Sequence, residues 1–162
     1  MATAYQSQSP GVYREEEFLK PQAGLPTGIA GFVGFAKSRL DSNGKALVSP
    51  ATPVGLHHPE DFSLYFEGND DSYLAETIRG FFLNGGTRCY VAFTESKDAL
   101  LFQDAIESLA PLQDLDVLAV PDAISLQKEQ VASLQTWVLK HCEEQGDRFA
   151  ILDVPQEILK IG

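Results

Sequence analysis

The sequence has few basic residues and no long apolar run, and each shortage excludes a class of function. Its 162 residues include 12 lysines and arginines against 23 aspartates and glutamates, which gives a formal net charge of −11. This charge repels phosphate backbones, so we expect no direct contact with nucleic acid. No stretch approaches the roughly 18 apolar residues that a membrane-spanning helix requires, so we also expect no insertion into a membrane.

Cysteine is scarce as well. Cys89 and Cys142 lie far apart and neither belongs to a CxxC pair. Isolated thiols among apolar or helical neighbours are typical of reduced, partly buried cysteines in a cytosolic fold. The opening residues MATAYQSQSP lack the basic start and apolar centre of a secretory signal. We therefore expect that the chain is made and folded in the cytoplasm.

Prolines and glycines punctuate residues 1–27, which predicts an extended N-terminal arm rather than a folded layer. Within it, the stretch QSPGVYREEEFL opens with a Pro-Gly turn and continues with Val12 and Tyr13, which favour a strand. Fully stretched, the chain from Pro10 to Thr27 reaches about 55 Å, at about 3.3 Å per residue. That exceeds the radius of a small domain, so the arm is long enough to leave its own subunit.

Three glutamates, Glu15, Glu16 and Glu17, follow this predicted strand and allow two interpretations. A run of like charges is usually a solvated surface, and from the residues alone that interpretation is favoured. On a strand exchanged between subunits, the same carboxylates would instead meet basic groups of a neighbour.

Residues 28–162 alternate between apolar runs and amphipathic segments and are predicted to form one core domain. The runs GIAGFVGFA, TRCYVAF, LDVLAVP and RFAILDVP predict buried strands. Helical spacing of apolar residues predicts helices over 59–68, 71–84, 96–110 and 127–145. This order predicts an α/β fold with a largely parallel central sheet flanked by helices. Residues 37–58 are expected to form a loop or a short hairpin.

The helix ends carry their own signals. Asp70 or Asp71 is expected to cap the second predicted helix at its start, and the Gly85-Gly86 pair to end it. Gly146 is expected to end the last helix, which buries four residues on one face. These residues are Val131, Leu134, Val138 and Cys142.

The histidines do not form a persuasive site. His57 and His58 lie beside Glu60 and Asp61, which suggests a metal site, but adjacent side chains of an extended segment point in opposite directions. A solvated loop before a helix is the favoured interpretation. His141 adjoins Cys142 on a predicted helix, where neighbours lie about 100° apart and cannot act as a nucleophile-base pair.

Glycines and aspartates near the predicted strands are candidates for a ligand site. Gly28, Gly31 and Gly34 follow the spacing GxxGxxG rather than the GxGxxG of dinucleotide-binding proteins, and no helix follows directly. Asp122 and Asp153 close predicted strands, where α/β enzymes keep catalytic groups. Without a nucleophile or a phosphate loop, we expect these aspartates to cap the next helix or turn. No catalytic, cofactor-binding or metal-ligating residue is assigned.

Six stretches of the chain form an ordered set: SPGVYREEE, TGIAGFVGFA, DFSLYFEG, IRGFFLNGGTRCYVAF, LDVLAVPD and HCEEQGDRFAILDVP. The most specific part is FFLNGGTRCYV, with PGVY upstream and RFAILDVP downstream. In this order the set resembles the N-terminal portion of contractile tail sheath proteins, the family of phage tail sheaths and of the sheaths of phage-tail-like injection systems. The resemblance covers nearly the whole chain.

The resemblance implies a structural subunit that is not an enzyme and needs no cofactor. Sheath subunits stack as hexameric rings around an inner tube, and contraction drives the tube through a target envelope. The implied partners are neighbouring sheath subunits, the inner tube protein, and baseplate and terminal cap proteins. The implied place is a phage tail or phage-tail-like particle assembled after synthesis in the cytoplasm. The alternative is a small cytosolic α/β enzyme or nucleotide-binding domain.

The resemblance also implies that the arm joins subunits by strand exchange in a shared sheet, and it gives the two interpretations of the glutamate run equal weight. The implied interface residues are Pro10, Gly11, Val12, Tyr13, Arg14, Glu15 and Glu16. Arg14 departs from the family, many of whose members carry an apolar residue there. Members are usually more than twice this long, so a C-terminal part with a tube-facing helix and a second arm is expected beyond Gly162.

Overall fold

The computed structural model describes residues 28–68 and 70–154, in which strands and helices alternate along the chain. The strands are β1 (Ala30–Phe35), β2 (Lys37–Ser38), β3 (Val54–Leu56), β4 (Phe66–Glu67), β5 (Cys89–Thr94), β6 (Val117–Ala119) and β7 (Phe149–Ile151). The α-helices are α1 (Phe62–Tyr65), α2 (Leu74–Leu83), α3 (Ala99–Glu107) and α4 (Lys128–Gln145). Short 3-10 turns cover Pro59–Asp61 and Pro121–Ser125.

Five of the strands form one sheet in the order β3-β5-β1-β6-β7. β5, β1, β6 and β7 run parallel, whereas β3 is antiparallel to β5 at one edge. Parallel neighbours need crossover connections, and here α2 lies in the connection from β1 to β5, α3 in that from β5 to β6, and α4 in that from β6 to β7. The predicted α/β fold with a largely parallel sheet is therefore confirmed.

β1 lies at the centre of this sheet and is buried from Ala30 to Gly34. Its first residue, Ala30, pairs with Cys89 on one side and with Val117 on the other. Val117 pairs in turn with Phe149 at the start of β7. A continuous apolar run suits such a strand because helices cover both of its faces.

The domain has three layers, with the sheet between two groups of helices. One core joins α3 and α4 to the sheet, and its buried members include Val33, Phe102, Ile106, Leu109, Leu118 and Leu134. The other joins α1 and α2 to the opposite face, and its largest buried members are Phe32, Phe62, Phe66, Leu74, Ile78 and Phe93. Residues of β1 alternate between the two cores, as the two-residue period of a strand requires.

The segment before α2 differs from its sequence-based prediction. The helix expected over 59–68 ends at Tyr65, because the next residues form β4 and pair with β2. Phe66 is 1% exposed, and its ring lies 5.0 Å from those of both Phe62 and Phe93. Burial of this large ring outweighs local helix propensity. The expected loop over 37–58 contributes β2 and the edge strand β3.

The C-terminal ends of α2 and α4 agree with their predictions, whereas the N-terminal ends of α2 and α3 differ. Gly85 and Gly146 adopt left-handed conformations after α2 and α4, with φ of 93° and 72°, as expected. α3 begins later than Ser96, because the carboxylate of Asp98 accepts the backbone N–H of Leu100 and caps the helix there. The expected cap of α2 is wrong: the residue directly before the helix is Tyr73, and its N–H is bound by a distant side chain.

Candidate functional site

The carboxyl end of the sheet is where α/β proteins bind ligands, at the point where the strand order reverses. In this chain β1 lies at that point, with β5 on one side of it and β6 on the other. Asp122 follows β6 there and is fully buried, with 0% of its surface exposed. It is therefore the first residue to consider as a functional group.

The Asp122 carboxylate is engaged with three groups of the chain itself. Oδ2 accepts the backbone N–H of Phe35, the last residue of β1, at 2.6 Å. The same oxygen accepts the hydroxyl of Ser72 at 2.8 Å, while Oδ1 accepts the backbone N–H of Tyr73 at 2.6 Å. Ser72 Oγ accepts the N–H of Leu74 in turn, at 3.1 Å. Asp122 thus joins the ends of two strands to the start of α2.

This arrangement corrects the prediction for Asp122 and for the α2 cap. The sequence predicts that Asp122 caps the helix or turn that follows it, but its carboxylate accepts the N–H of Tyr73, the residue before α2 and 49 residues earlier. Neither Asp70 nor Asp71 takes that position. A carboxylate is suited to it, because the positive end of the helix dipole favours negative charge.

Gly34 makes room for this contact. A Cβ atom at Gly34 would lie 2.6 Å from Oδ2 of Asp122 and 2.9 Å from Cβ of Leu74. Both distances are shorter than van der Waals contact, so the close approach of β1, Asp122 and α2 needs a residue without a side chain. Gly34, one of the three glycines of the GxxGxxG spacing, therefore serves packing in the structure.

The crevice thus holds a carboxylate where a nucleotide-binding fold would hold a phosphate. In such folds the N–H groups at a helix N-terminus point at the phosphate. Here the N–H of Tyr73 already donates to Asp122. A nucleotide phosphate would have to displace a buried, like-charged group. Chemically the arrangement is a structural clamp.

The segment around His57 and His58 is organised by Asp61. Its Oδ2 accepts the backbone N–H groups of both histidines, at 2.8 and 2.9 Å. These bonds hold the pKa of Asp61 below its usual range, with His57 as the main cause. Both imidazoles are exposed, beside an open groove of about 410 Å³ that Phe82 and Leu83 also line. Across 28–68 and 70–154, no three histidine, cysteine or acidic residues are placed to hold a metal ion.

The two thiols differ in burial. Cys89 is fully buried in β5, and burial raises its pKa to about 12. Cys142 on α4 is half-buried, and burial also raises its pKa. His141, rather than Cys142, completes the buried face of α4 at 1% exposure. Sequence reasoning missed this, because the partner that accommodates the imidazole, Arg148, belongs to a different element.

An exposed apolar surface lies on β7, at the edge of the described sheet. Phe149 is 79% exposed and Ile151 is 57% exposed. They are two residues apart on one strand and therefore project from the same face. Leu152 and Val154 continue the exposed apolar stretch beyond the strand. Exposed apolar strands at sheet edges are typical of surfaces that another segment or subunit covers.

Comparison with solved structures identifies a similar protein, whereas the two sequence comparisons do not. Neither a family model nor a curated protein matches the sequence. Among solved structures, the chain is similar to the helical sheath of the anti-feeding prophage (AFP), determined by cryo-electron microscopy in the contracted state. The TM-score is 0.56 at 21% sequence identity, over 91% of this chain. The two chains share a sheath-like fold. This chain covers 40% of the length of the AFP sheath chain.

Two of the stretches singled out in the sequence can be placed in the described part of the fold. FFLNGGTRCYV contains the end of α2, the left-handed Gly85 turn and the start of β5. RFAILDVP contains β7 with its exposed apolar residues. No helix within the described ranges combines the length and apolarity needed to cross a bilayer.

The predicted interface residues lie outside the described part of the chain. The whole arm lies outside it, so the structure does not test the expectation that the arm is extended and packs little against its own domain. The residues concerned are Pro10, Gly11, Val12, Tyr13, Arg14, Glu15 and Glu16. Their assignment to a subunit interface stays a prediction.

Proposed function

We propose that this protein is a structural subunit of a contractile sheath. The observation that carries the proposal is the fold shared with the AFP sheath over 91% of this chain. Two further observations support it. The sheath-like stretches occur in family order along the sequence, and the crevice that would bind a nucleotide in a related α/β fold is filled by Asp122.

The proposed mechanism is mechanical. Subunits stack in hexameric rings around an inner tube, in an extended packing that is metastable, and contraction brings the domains into a tighter packing. Each subunit needs to contribute only a few kcal/mol, because many subunits act together. The domain moves as a unit, since the Asp122 clamp and the two cores fix its helices to its sheet.

The N-terminal arm acts in this proposal as the tether between moving domains. Val12 and Tyr13 pair with strands of neighbouring subunits, with net contributions of about 1 kcal/mol per hydrogen bond. Such bonds are numerous enough to keep subunits joined and weak enough to rearrange. The exposed face of β7, with Phe149 and Ile151, supplies a second surface for packing within the assembly.

The proposal includes specific partner proteins and the particle to which the assembly belongs. The inner tube protein fills the lumen, baseplate proteins bind one end of the sheath, and cap proteins bind the other. The assembly belongs to a phage tail or phage-tail-like particle, built in the cytoplasm. The subunit itself catalyses no reaction and binds no cofactor.

Negative-stain electron microscopy of the protein expressed from its complete reading frame tests the proposal. We expect ringed cylinders or tubes. Monodisperse particles that bind nucleotide, measured by isothermal titration with ATP, would contradict it and favour the small α/β enzyme instead.

Two deletions test the tether. Removing residues 1–20 deletes the predicted interface, and we expect loss of ordered polymer with an unchanged circular dichroism spectrum of the core. Removing residues 1–9 leaves Pro10 to Glu16 in place and serves as the matched control, with polymer retained. Equal polymerisation of both deletion variants would show that the arm does not join the subunits.

A further inference from the structure

Arg148 is a buried cation at the entrance to β7. It is 5% exposed, although its charge belongs in water unless it is well paired. Nη1 donates to the carbonyl oxygen of Leu109 at 3.2 Å and Nη2 to that of Leu112 at 2.8 Å. Nε donates to Asp147 at 2.8 Å. The guanidinium thus holds the turn after α3 against the start of the edge strand.

His141 of α4 completes this site. Its Nε2 lies 3.2 Å from Nη1 of Arg148, and its ring is 1% exposed. Arginine can only donate, so Nε2 accepts and the imidazole proton is on Nδ1. Nδ1 is buried without a hydrogen-bond partner among the described residues. The contact therefore requires a neutral imidazole, because a proton on Nε2 would face a second donor and a positive charge.

The surrounding charges do not remove this requirement. Acidic groups near His141 lie on three neighbouring segments: Glu107 on α3, Glu144 on α4, and Asp147 before β7. Each favours the protonated ring. Burial, followed by the charge of Arg148, outweighs them and lowers the pKa of His141.

We propose that His141 and Arg148 form an acid-released latch that fixes β7 to the domain. In neutral solution the pair joins α4, the turn after α3 and the residue directly before β7. The first residue of β7, Phe149, donates its backbone N–H to the carbonyl oxygen of Asp116 at 2.8 Å. On acidification the imidazole takes up a proton only when the contact with Arg148 opens. β7 is the element released, because it pairs with one strand through three residues at the edge of the described sheet.

The size of the effect follows from proton linkage. An opened His141 titrates near its ordinary value of about 6.5, whereas burial and the charge of Arg148 lower the pKa of the latched ring. Opening is therefore favoured progressively as the pH falls below about 6.5. At pH 5 a single such group favours the open form by up to about 30-fold.

Amide hydrogen exchange, measured by NMR on the 162-residue chain at pH 7.5 and pH 5.0, tests the latch. After correction for intrinsic exchange rates, protection of the Phe149 amide is expected to fall, by up to about 30-fold, while β1 amides keep theirs. His141→Gln keeps a neutral side chain at both pH values, so its β7 protection should not change with pH. His57→Gln and His58→Gln are matched controls and should behave as the wild type.

The proposal is overturned if wild-type β7 protection is unchanged at pH 5.0, or falls equally in His141→Gln. An equal fall of β1 protection would also overturn it, because the whole domain would then be opening. Should His141→Gln fail to fold, imidazole ¹⁵N signals of the wild type decide the question. We expect the neutral Nδ1–H form of His141 to persist until Phe149 loses protection. A protonated His141 beside a protected Phe149 would contradict the latch.

Discussion

The carboxylate of Asp122 accepts the backbone N–H of Tyr73 at 2.6 Å, across 49 residues of sequence. The same side chain accepts the N–H of Phe35. One buried group thus fixes the start of α2 to the ends of β1 and β6, and it fills the crevice that related folds use for ligands.

Asp122→Asn tests this clamp. The amide keeps one acceptor oxygen but places an NH₂ group against N–H or O–H donors, so we expect the free energy of unfolding to fall by about 2 kcal/mol. Urea denaturation measures the change. Asp104→Asn, at an exposed position of α3, is the matched control and should change stability by less than about 0.5 kcal/mol. Equal effects at the two positions would show that the Asp122 contacts are not important for stability.

Alanine substitutions at Gly34 and at Gly80 should change the unfolding free energy in opposite directions. Gly34→Ala places a Cβ atom 2.6 Å from Asp122 and should lower the unfolding free energy by about 1–3 kcal/mol. Gly80→Ala, inside α2 with no atom within 4 Å of its new Cβ, should raise it by about 0.5–1 kcal/mol. Thermal and urea unfolding measure both. Stabilisation by Gly34→Ala would contradict the close approach described.

The two cysteines should react in a fixed order. Cys89 is fully buried with a pKa of about 12, so its reactive thiolate is absent from the folded protein at pH 8. Half-buried Cys142 should be alkylated by iodoacetamide first, and Cys89 only in urea. Mass spectrometry of tryptic peptides identifies the modified residue. Cys142→Ser should abolish labelling of the folded chain, whereas Cys89→Ser should leave it unchanged. Labelling of Cys89 in the folded chain would contradict its burial.

Asp61 should stabilise the His57 segment in a pH-dependent way. Its pKa is lowered in the folded chain, so its contribution is complete above the unfolded value of about 3.8 and is lost as the pH falls through the folded pKa. At pH 7, Asp61→Asn should reduce stability by about 1 kcal/mol, because it weakens the bonds to two N–H groups. The difference from wild type should shrink below that pH window in urea titrations. Glu60→Gln, at the neighbouring exposed position, should have no effect.

The strands and helices with strong periodicity could be predicted from sequence. Val33 and Val91 lie in apolar runs that only a doubly covered strand can bury, and both are fully buried. Gly146 ends α4 as its position after a helical pattern indicated. These signals are local, because each depends on residues within one element.

The missed features depend on contacts between distant residues. Phe66 leaves the helical pattern because its ring is needed against Phe93, which no spacing within 59–68 reveals. His141 is buried through Arg148, and Tyr73 is held by Asp122. In each case the deciding partner belongs to an element that the fold alone brings close. β3 has only three residues and its pattern is correspondingly weak.

The central position of β1 has a consequence for synthesis. Along the chain, the first residue that pairs with Ala30 is Cys89, which comes 59 residues later (89 − 30). At about 5–20 residues per second, a ribosome takes about 3–12 s to make that stretch. During this time the most apolar strand of the domain has no neighbour in its final sheet. We therefore expect expression at high rates to favour aggregation before folding.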